Sequence, residues 1–405
     1  MKRWIKNSLT IGLCLIPIGL IAGFSNSWSN KIPISCVGSS GVKPFVETLS
    51  QKYMKTQKNV DITIEAGGSG FGIQQIANGF ANIGNASKDP YKAVQPDGKN
   101  GFRQEWQDRK IKTITIGWEA ICMVYIPPKD LGINYDSDIN LNNLLSISDD
   151  NIKDFMKIFT GLSDSNINNP TLWDFVNPSI KDQLSSNQQT KLKNTSITPY
   201  VRAGGSLTSG TASSFVGGSH LDFDEKRDLT SAQQAAFDSG QYGKNYGLVE
   251  TDEANSRAWS IFKSANNPGQ IVYLSSGFVN QNLDLIKKNG YGIMAYGNEG
   301  YDINTVDTEA GYNWFRPLNS MISLTKSQEP EINFIKALIS DDAYKSLLLS
   351  NGAKTLSEKE MEFMFPGDPD LNNWISDYDL AKDKEADWFW PDLYSFSPTP
   401  DISDK

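Results

Sequence analysis

The feature that most constrains this chain is a strand, a glycine–serine turn and a helix, written at Ser35-Cys36-Val37-Gly38-Ser39-Ser40-Gly41-Val42-Lys43-Pro44-Phe45-Val46. Ser40 suits a helix N-cap, and Pro44 falls in the first helical turn, where a missing N–H costs nothing. Val42, Phe45, Val46, Leu49 and Tyr53 then keep helical spacing on one face. A helix that starts on such a turn offers free backbone N–H groups, the positive end of its dipole and two hydroxyls, a combination that suits an anion. Many strand–helix turns contain glycine and serine only to make the bend. The motif carries weight here because it returns.

It returns at Glu65-Ala66-Gly67-Gly68-Ser69-Gly70-Phe71-Gly72-Ile73, between a strand over Val60–Glu65 and a helix marked by Ile73, Ile76, Ala77 and Phe80. Gly67 and Gly72 have the spacing of a P-loop, but Ile73 stands where its lysine must be, so a nucleoside triphosphate is not expected. Phe71 likewise breaks the Gly-x-Ser-x-Gly elbow of a hydrolase. A third run, Val201-Arg202-Ala203-Gly204-Gly205-Ser206-Leu207-Thr208-Ser209-Gly210-Thr211, adds an arginine to a stretch of hydroxyls and glycines. Its planar fork matches the oxygens of a tetrahedral oxyanion. Ile83-Gly84-Asn85-Ala86-Ser87-Lys88-Asp89-Pro90 ends a further short strand on small polar groups.

Charge and residue counts narrow the chemistry. A net charge of −9 over 405 residues excludes a general nucleic-acid binder, which needs a basic stripe along the phosphates. It leaves room for one small anion held by helix ends and neutral donors. One histidine, His220, and three cysteines, Cys14, Cys36 and Cys122, cannot build a structural zinc site. No cofactor, metal or catalytic residue is expected. Cys36 and Cys122 read as buried free thiols.

The chain length suits two domains. Its start, Met1-Lys2-Arg3-Trp4-Ile5-Lys6 before an apolar run from Leu9 to Phe24, reads as a signal peptide or N-terminal anchor over residues 1–30. Cys14 lies inside that run behind bulky Leu13, a poor setting for lipidation. Strand and helix alternate from Cys36 to Ile116, with strands at 81–86 and 113–116, which argues for a mostly parallel sheet. Residues 131–200 are rich in Asn, Asp and Ser. Ile271–Leu274 is a strand, and Ile332, Ile335, Leu338 and Ile339 mark a helical face before Gly352. Beyond Phe365 the chain is acidic and aromatic.

Gly38-Ser39-Ser40-Gly41-Val42-Lys43-Pro44, Gly68 to Ile73, Ile83 to Ser87 and the Arg202 to Thr211 block stand in the order found in one known family. From about residue 34 to 356 the chain resembles the phosphate-binding proteins of the phosphate ABC importer, PstS-type members of the periplasmic-binding-protein-like family. Asn313-Trp314-Phe315-Arg316-Pro317-Leu318 resembles the segment by which that family returns to its first domain. The resemblance implies an α/β, two-domain periplasmic-binding-protein-like (type II) fold with two interdomain crossovers, near Gly117-Trp118 and near Gly311 to Leu318. Domain I would be 34–117 plus 318–405, and domain II 118–317. The implied phosphate ligands are Ser40 and Gly41, Ser69, Ser87 and, from the opposing domain, Arg202, Ser209, Gly210 and Thr211.

The resemblance further implies an exported monomer, at the outer face of the membrane or beyond it, that hands inorganic phosphate to the permease subunits of an ABC importer. Two departures stand out. Ser87 occupies a position where some members carry an aspartate, and Asp89 follows two positions later, which leaves phosphate and sulfate as alternatives. Arg202 is separated from Ser209 by six residues, so Ser206 or Thr208 can stand in for a donor. A surface adhesion protein that kept the fold and a secreted phosphatase are the remaining alternatives.

Overall fold

The computed structural model describes residues 31–88, 102–148, 170–203, 249–252, 254–306, 311–327 and 329–358, with positions 90, 150–152, 154, 155, 158, 360 and 361. Asp89, Ser206, Thr208, Ser209, Gly210, Thr211, His220, the leader and the acidic aromatic tail lie outside them, as does the side chain of Arg202.

The expected alternation is present. Strand β1 (Ile32–Gly38) pairs in parallel with β2 (Val60–Ala66) and β3 (Ile83–Ala86), and α1 (Lys43–Thr56) and α2 (Ser69–Asn78) connect them in turn. A short helix, α3 (Arg103–Asp108), leads into the long strand β4 (Ile111–Tyr125). Later come β5 (Thr198–Ala203), β6 (Val249–Asp252), α4 (Asn255–Ala265), β7 (Gln270–Ser275) and α5 (Ser276–Gln281). Strand β8 (Phe315–Ser323) and helices α6 (Glu329–Ser340) and α7 (Asp342–Ser350) close the described chain.

The main strands lie in the order β2-β1-β3-β8-β4-β7-β5-β6 within one ten-stranded sheet, completed by Gly292–Ile293 and Ala353–Lys354 against β4. β8 runs antiparallel to both β3 and β4, whereas β5 is parallel to β6 and β7. β4 pairs with β8 up to Ala120 and with β7 from Ile121 onward. It therefore carries the chain from one end of the sheet to the other, and β8 brings it back. The short strand expected at Thr113–Ile116 is the start of this longer one. Gly117 does not stop it; the missing side chain admits the Lys354 carbonyl, which would lie 2.7 Å from an added Cβ.

Helices cover both faces of the first end. α1 buries Phe45, Val46, Leu49 and Tyr53, and the Tyr53 ring meets Phe334 of α6 edge-on at 5.0 Å. Each such side chain contributes about 1.5–3 kcal/mol on burial. On the other face Ile73, Ile76 and Ala77 of α2 pack with Trp106, Ile111 and Met321. One expected face position, Phe80, does not join the core. α2 ends at Asn78, Gly79 turns the chain at φ +73, and Phe80 is left 75% exposed. On α6 the face is Phe334, Ile335, Leu338 and Ile339, with Ile332 only partly buried. Cys36 and Cys122 are buried free thiols, as expected. Among the described residues no helix is long and apolar enough to cross a membrane.

Candidate anion-binding site

In open α/β sheets ligands meet the carboxyl ends of the parallel strands. At the ends of β1, β2 and β3 the chain places three hydroxyls together. Ser39 Oγ lies 2.8 Å from Ser87 Oγ, Ser69 Oγ lies 3.4 Å from the same atom, and the Ser87 N–H donates to Ser69 Oγ at 3.1 Å. Ser39 and Ser87 are buried and Ser69 is half-buried. Ser39 is stitched down from two sides. Its N–H donates to the Asn85 carbonyl at 2.9 Å, and its hydroxyl accepts the Gly41 N–H at 3.1 Å. Gly38 makes that approach possible, with φ +141 and an Asn85 oxygen only 2.0 Å from where a Cβ would stand. Hydroxyls can turn to donate as well as accept, so a cluster of them suits the oxygens of an oxyanion.

The start of α1 differs from the expectation in one respect. Ser40 is not the N-cap; Val42 holds that position at helical angles without a side-chain cap, and the Lys43 N–H donates to the Ser39 carbonyl at 3.0 Å. The chain already coils at Ser40, which leaves Ser39 as the residue whose hydroxyl faces the backbone donors. Pro44 sits in the first turn, as expected. The Ser40 carbonyl accepts the Asn255 side-chain amide at 2.9 Å, and the same amide nitrogen lies 2.8 Å from Ser275 Oγ. The starts of α4 and α5 are thereby fastened to the start of α1. Gly277 of α5 completes the fit, since a Cβ there would be 2.9 Å from the Phe45 ring.

Under this turn lies a buried ion pair. Arg316 of β8 is 2% exposed and Glu119 of β4 is 0% exposed, opposite each other in the ladder where the chain crosses the sheet. Arg316 Nε donates to Glu119 Oε1 at 2.8 Å, and Nη2 lies 2.7 Å from the same oxygen. The guanidinium stands 5.2 Å from the Tyr273 ring centroid. Burial opposes its charge, but Tyr273 and Glu119 hold the Arg316 pKa above the usual arginine value. The neighbouring Cys122 thiol is pushed well up, first by burial and then by the Glu119 charge. A Cβ on Gly41 would lie 2.4 Å from both Arg316 Nη2 and Glu119 Oε1.

Of the residues expected at the site, Ser40, Gly41, Ser69 and Ser87 are brought to one end of the sheet. Arg202 lies on β5 beside Thr251 of β6. Ser209, Gly210 and Thr211 lie outside the described residues. Sequence reasoning passed over Ser39, Asn255 and Glu119. Ser39 had a visible signal, a hydroxyl in the same turn. Glu119 and Arg316 are 197 residues apart, and nothing in the sequence links them. Among the described residues no group of His, Cys, Asp and Glu is placed to hold a metal ion.

A family model described as a PBP superfamily domain matches residues 25–345. The chain belongs to that superfamily. The expected fold class is met, and the superfamily architecture supports a solute-binding role. Among relatives of this PBP superfamily member, the uncharacterized lipoprotein MG412 of Mycoplasma genitalium is 33% identical over 382 residues, 88% of this chain and 93% of that protein. The phosphate-binding protein PstS of Bacillus subtilis is 41% identical over 58 residues, 14% of this chain and 19% of its own length. An ABC-type phosphate transport receptor from Vibrio cholerae is a structural neighbour at 17% identity and a TM-score of 0.45, covering 80% of this chain and 100% of that one.

Proposed function

We propose that this protein is an extracytoplasmic solute-binding protein that captures inorganic phosphate and delivers it to an ABC permease. The observation that carries this is the meeting of the Ser39, Ser69 and Ser87 hydroxyls at the start of α1. The relatives named phosphate-binding proteins support it. Domain I is 34–117 plus 318–405 and domain II is 118–317, with the ligand between them. Ser40, Gly41, Ser69 and Ser87 serve the first side, Ser39 joins them, and Arg202, Ser209, Gly210 and Thr211 serve the second. Binding is reversible and no bond is broken, so the protein is not an enzyme. An N-terminal anchor fits the lipoprotein name of the Mycoplasma relative.

Ser87 supports a second reading within the same class. A hydroxyl in contact with Ser39 and Ser69 does not repel a fully ionised sulfate as a carboxylate would. Calorimetry with phosphate, sulfate, arsenate and molybdate separates the two. We expect phosphate to bind, and Arg202→Ala to weaken it by at least about 100-fold without unfolding the protein, in keeping with loss of a charge-assisted contact. Unchanged affinity in that variant would remove Arg202 from the site.

A further inference from the structure

We propose that Arg316 is a second cationic contact for the bound oxyanion, reaching it from the crossing strand beneath Gly41, with Glu119 as the residue that positions it. This rests on the oxyanion reading above. Three observations carry it. The first is place: Gly41 belongs to the anion turn, its N–H donates to Ser39 Oγ, and Arg316 Nη2 would be 2.4 Å from a Cβ on it. The absence of a side chain at residue 41 is what lets a guanidinium approach the start of α1.

The second is geometry. A carboxylate usually meets arginine fork to fork, each oxygen on its own nitrogen. Here Nε and Nη2 both converge on Oε1, and Nη2 does so off the hydrogen-bonding direction although the side chain is 2% exposed. The pair fixes the guanidinium without using the Nη2 donors fully. The third is charge. A cation at the positive end of a helix is disfavoured, and an anion there is favoured. Glu119 balances Arg316, and the helix end adds a partial positive charge that a bound oxyanion satisfies. The Tyr273 ring beside the guanidinium adds a cation–π contact that favours its present place.

The test must separate a ligand from a structural pair. Removing one member of a buried ion pair leaves a stranded charge, whereas replacing both by apolar residues of like size is often harmless to folding. Phosphate calorimetry and thermal unfolding are therefore run on the wild type, on Arg316→Met with Glu119→Met together, on Arg316→Lys and on Glu119→Gln. The double variant is expected to fold and to bind phosphate about 100-fold more weakly; Arg316→Lys, which keeps charge but loses the fork, about 10-fold more weakly. Glu119→Gln leaves the guanidinium charge unbalanced and is expected to tighten phosphate binding and steepen its dependence on salt. Wild-type affinity in a folded double variant, or in Arg316→Lys should the double variant not fold, overturns the proposal. Unchanged affinity with unchanged salt dependence in a folded Glu119→Gln overturns the role given to Glu119. A wild type that binds none of the four oxyanions overturns the functional reading itself, and this inference with it.

Discussion

The turns after β1 and β2 are near copies in sequence, Gly38-Ser39-Ser40-Gly41 and Gly67-Gly68-Ser69-Gly70, yet their last glycines have opposite surroundings. Gly41 is pressed against the guanidinium of Arg316 and the carboxylate of Glu119, whereas a Cβ on Gly70 would meet nothing within 4 Å. The first turn is also held from the far end of the sheet, through Asn255 on the Ser40 carbonyl. Gly70 is exposed, one residue into α2. Equal sequence motifs therefore do unequal work: one turn is wedged between charged groups and a neighbouring helix start, and the other lends a hydroxyl while its rim stays open.

Gly41→Ala tests the contrast hardest. Its methyl would displace the buried pair, and breaking such a pair costs about 3–5 kcal/mol. We expect a loss of that order in chemical denaturation together with loss of phosphate binding; a variant as stable as wild type would show that the wedge yields. Ser39→Ala and Ser69→Ala sharpen the comparison at the next level. Ser39 lies buried between the Gly41 N–H and Ser87, so its removal strands buried groups and is expected to cost about 1–3 kcal/mol. Half-buried Ser69 should cost less, about 0.5–1.5 kcal/mol, while phosphate titrations fall together for both. Opposite ranking in stability would mean that the second turn, not the first, is the constrained one. The smallest effect is a gain. Gly70→Ala adds a helix former in open space and is expected to stabilise by about 0.5–1 kcal/mol in calorimetric unfolding.

Much of this architecture could be read from the sequence because period and punctuation agree. The apolar spacing of α1 and α2 and the strands before them needed only local rules, and Ser69 and Ser87 followed from their places at strand ends. Ser39 was harder to choose over Ser40, since side-chain direction depends on whether the chain coils before or after the second serine. The sequence alone stops β4 before Gly117, because a glycine looks like a strand's end and nothing marks Glu119 beyond it as a buried residue. Only the tertiary setting, with the Lys354 carbonyl over Gly117 and Arg316 on Glu119, makes them interior residues. Asn255 resembles any polar residue at a helix start until its amide is seen between Ser40 and Ser275.

The pairing of β8 with β3 and β4 also sets an order of assembly. Strands β1, β2 and β3 lie within residues 32–86 and can pair as soon as they are made, but the neighbour of β3 is residues 319–322. Until that late strand arrives, β3 is an open sheet edge, the kind of surface on which incomplete chains adhere to one another. The edge is only four residues long, Ile83-Gly84-Asn85-Ala86, with glycine and asparagine at its centre. A strand so short and so poor in β-formers is a weak template for a stranger, which lets the growing chain wait more than two hundred residues for its own partner.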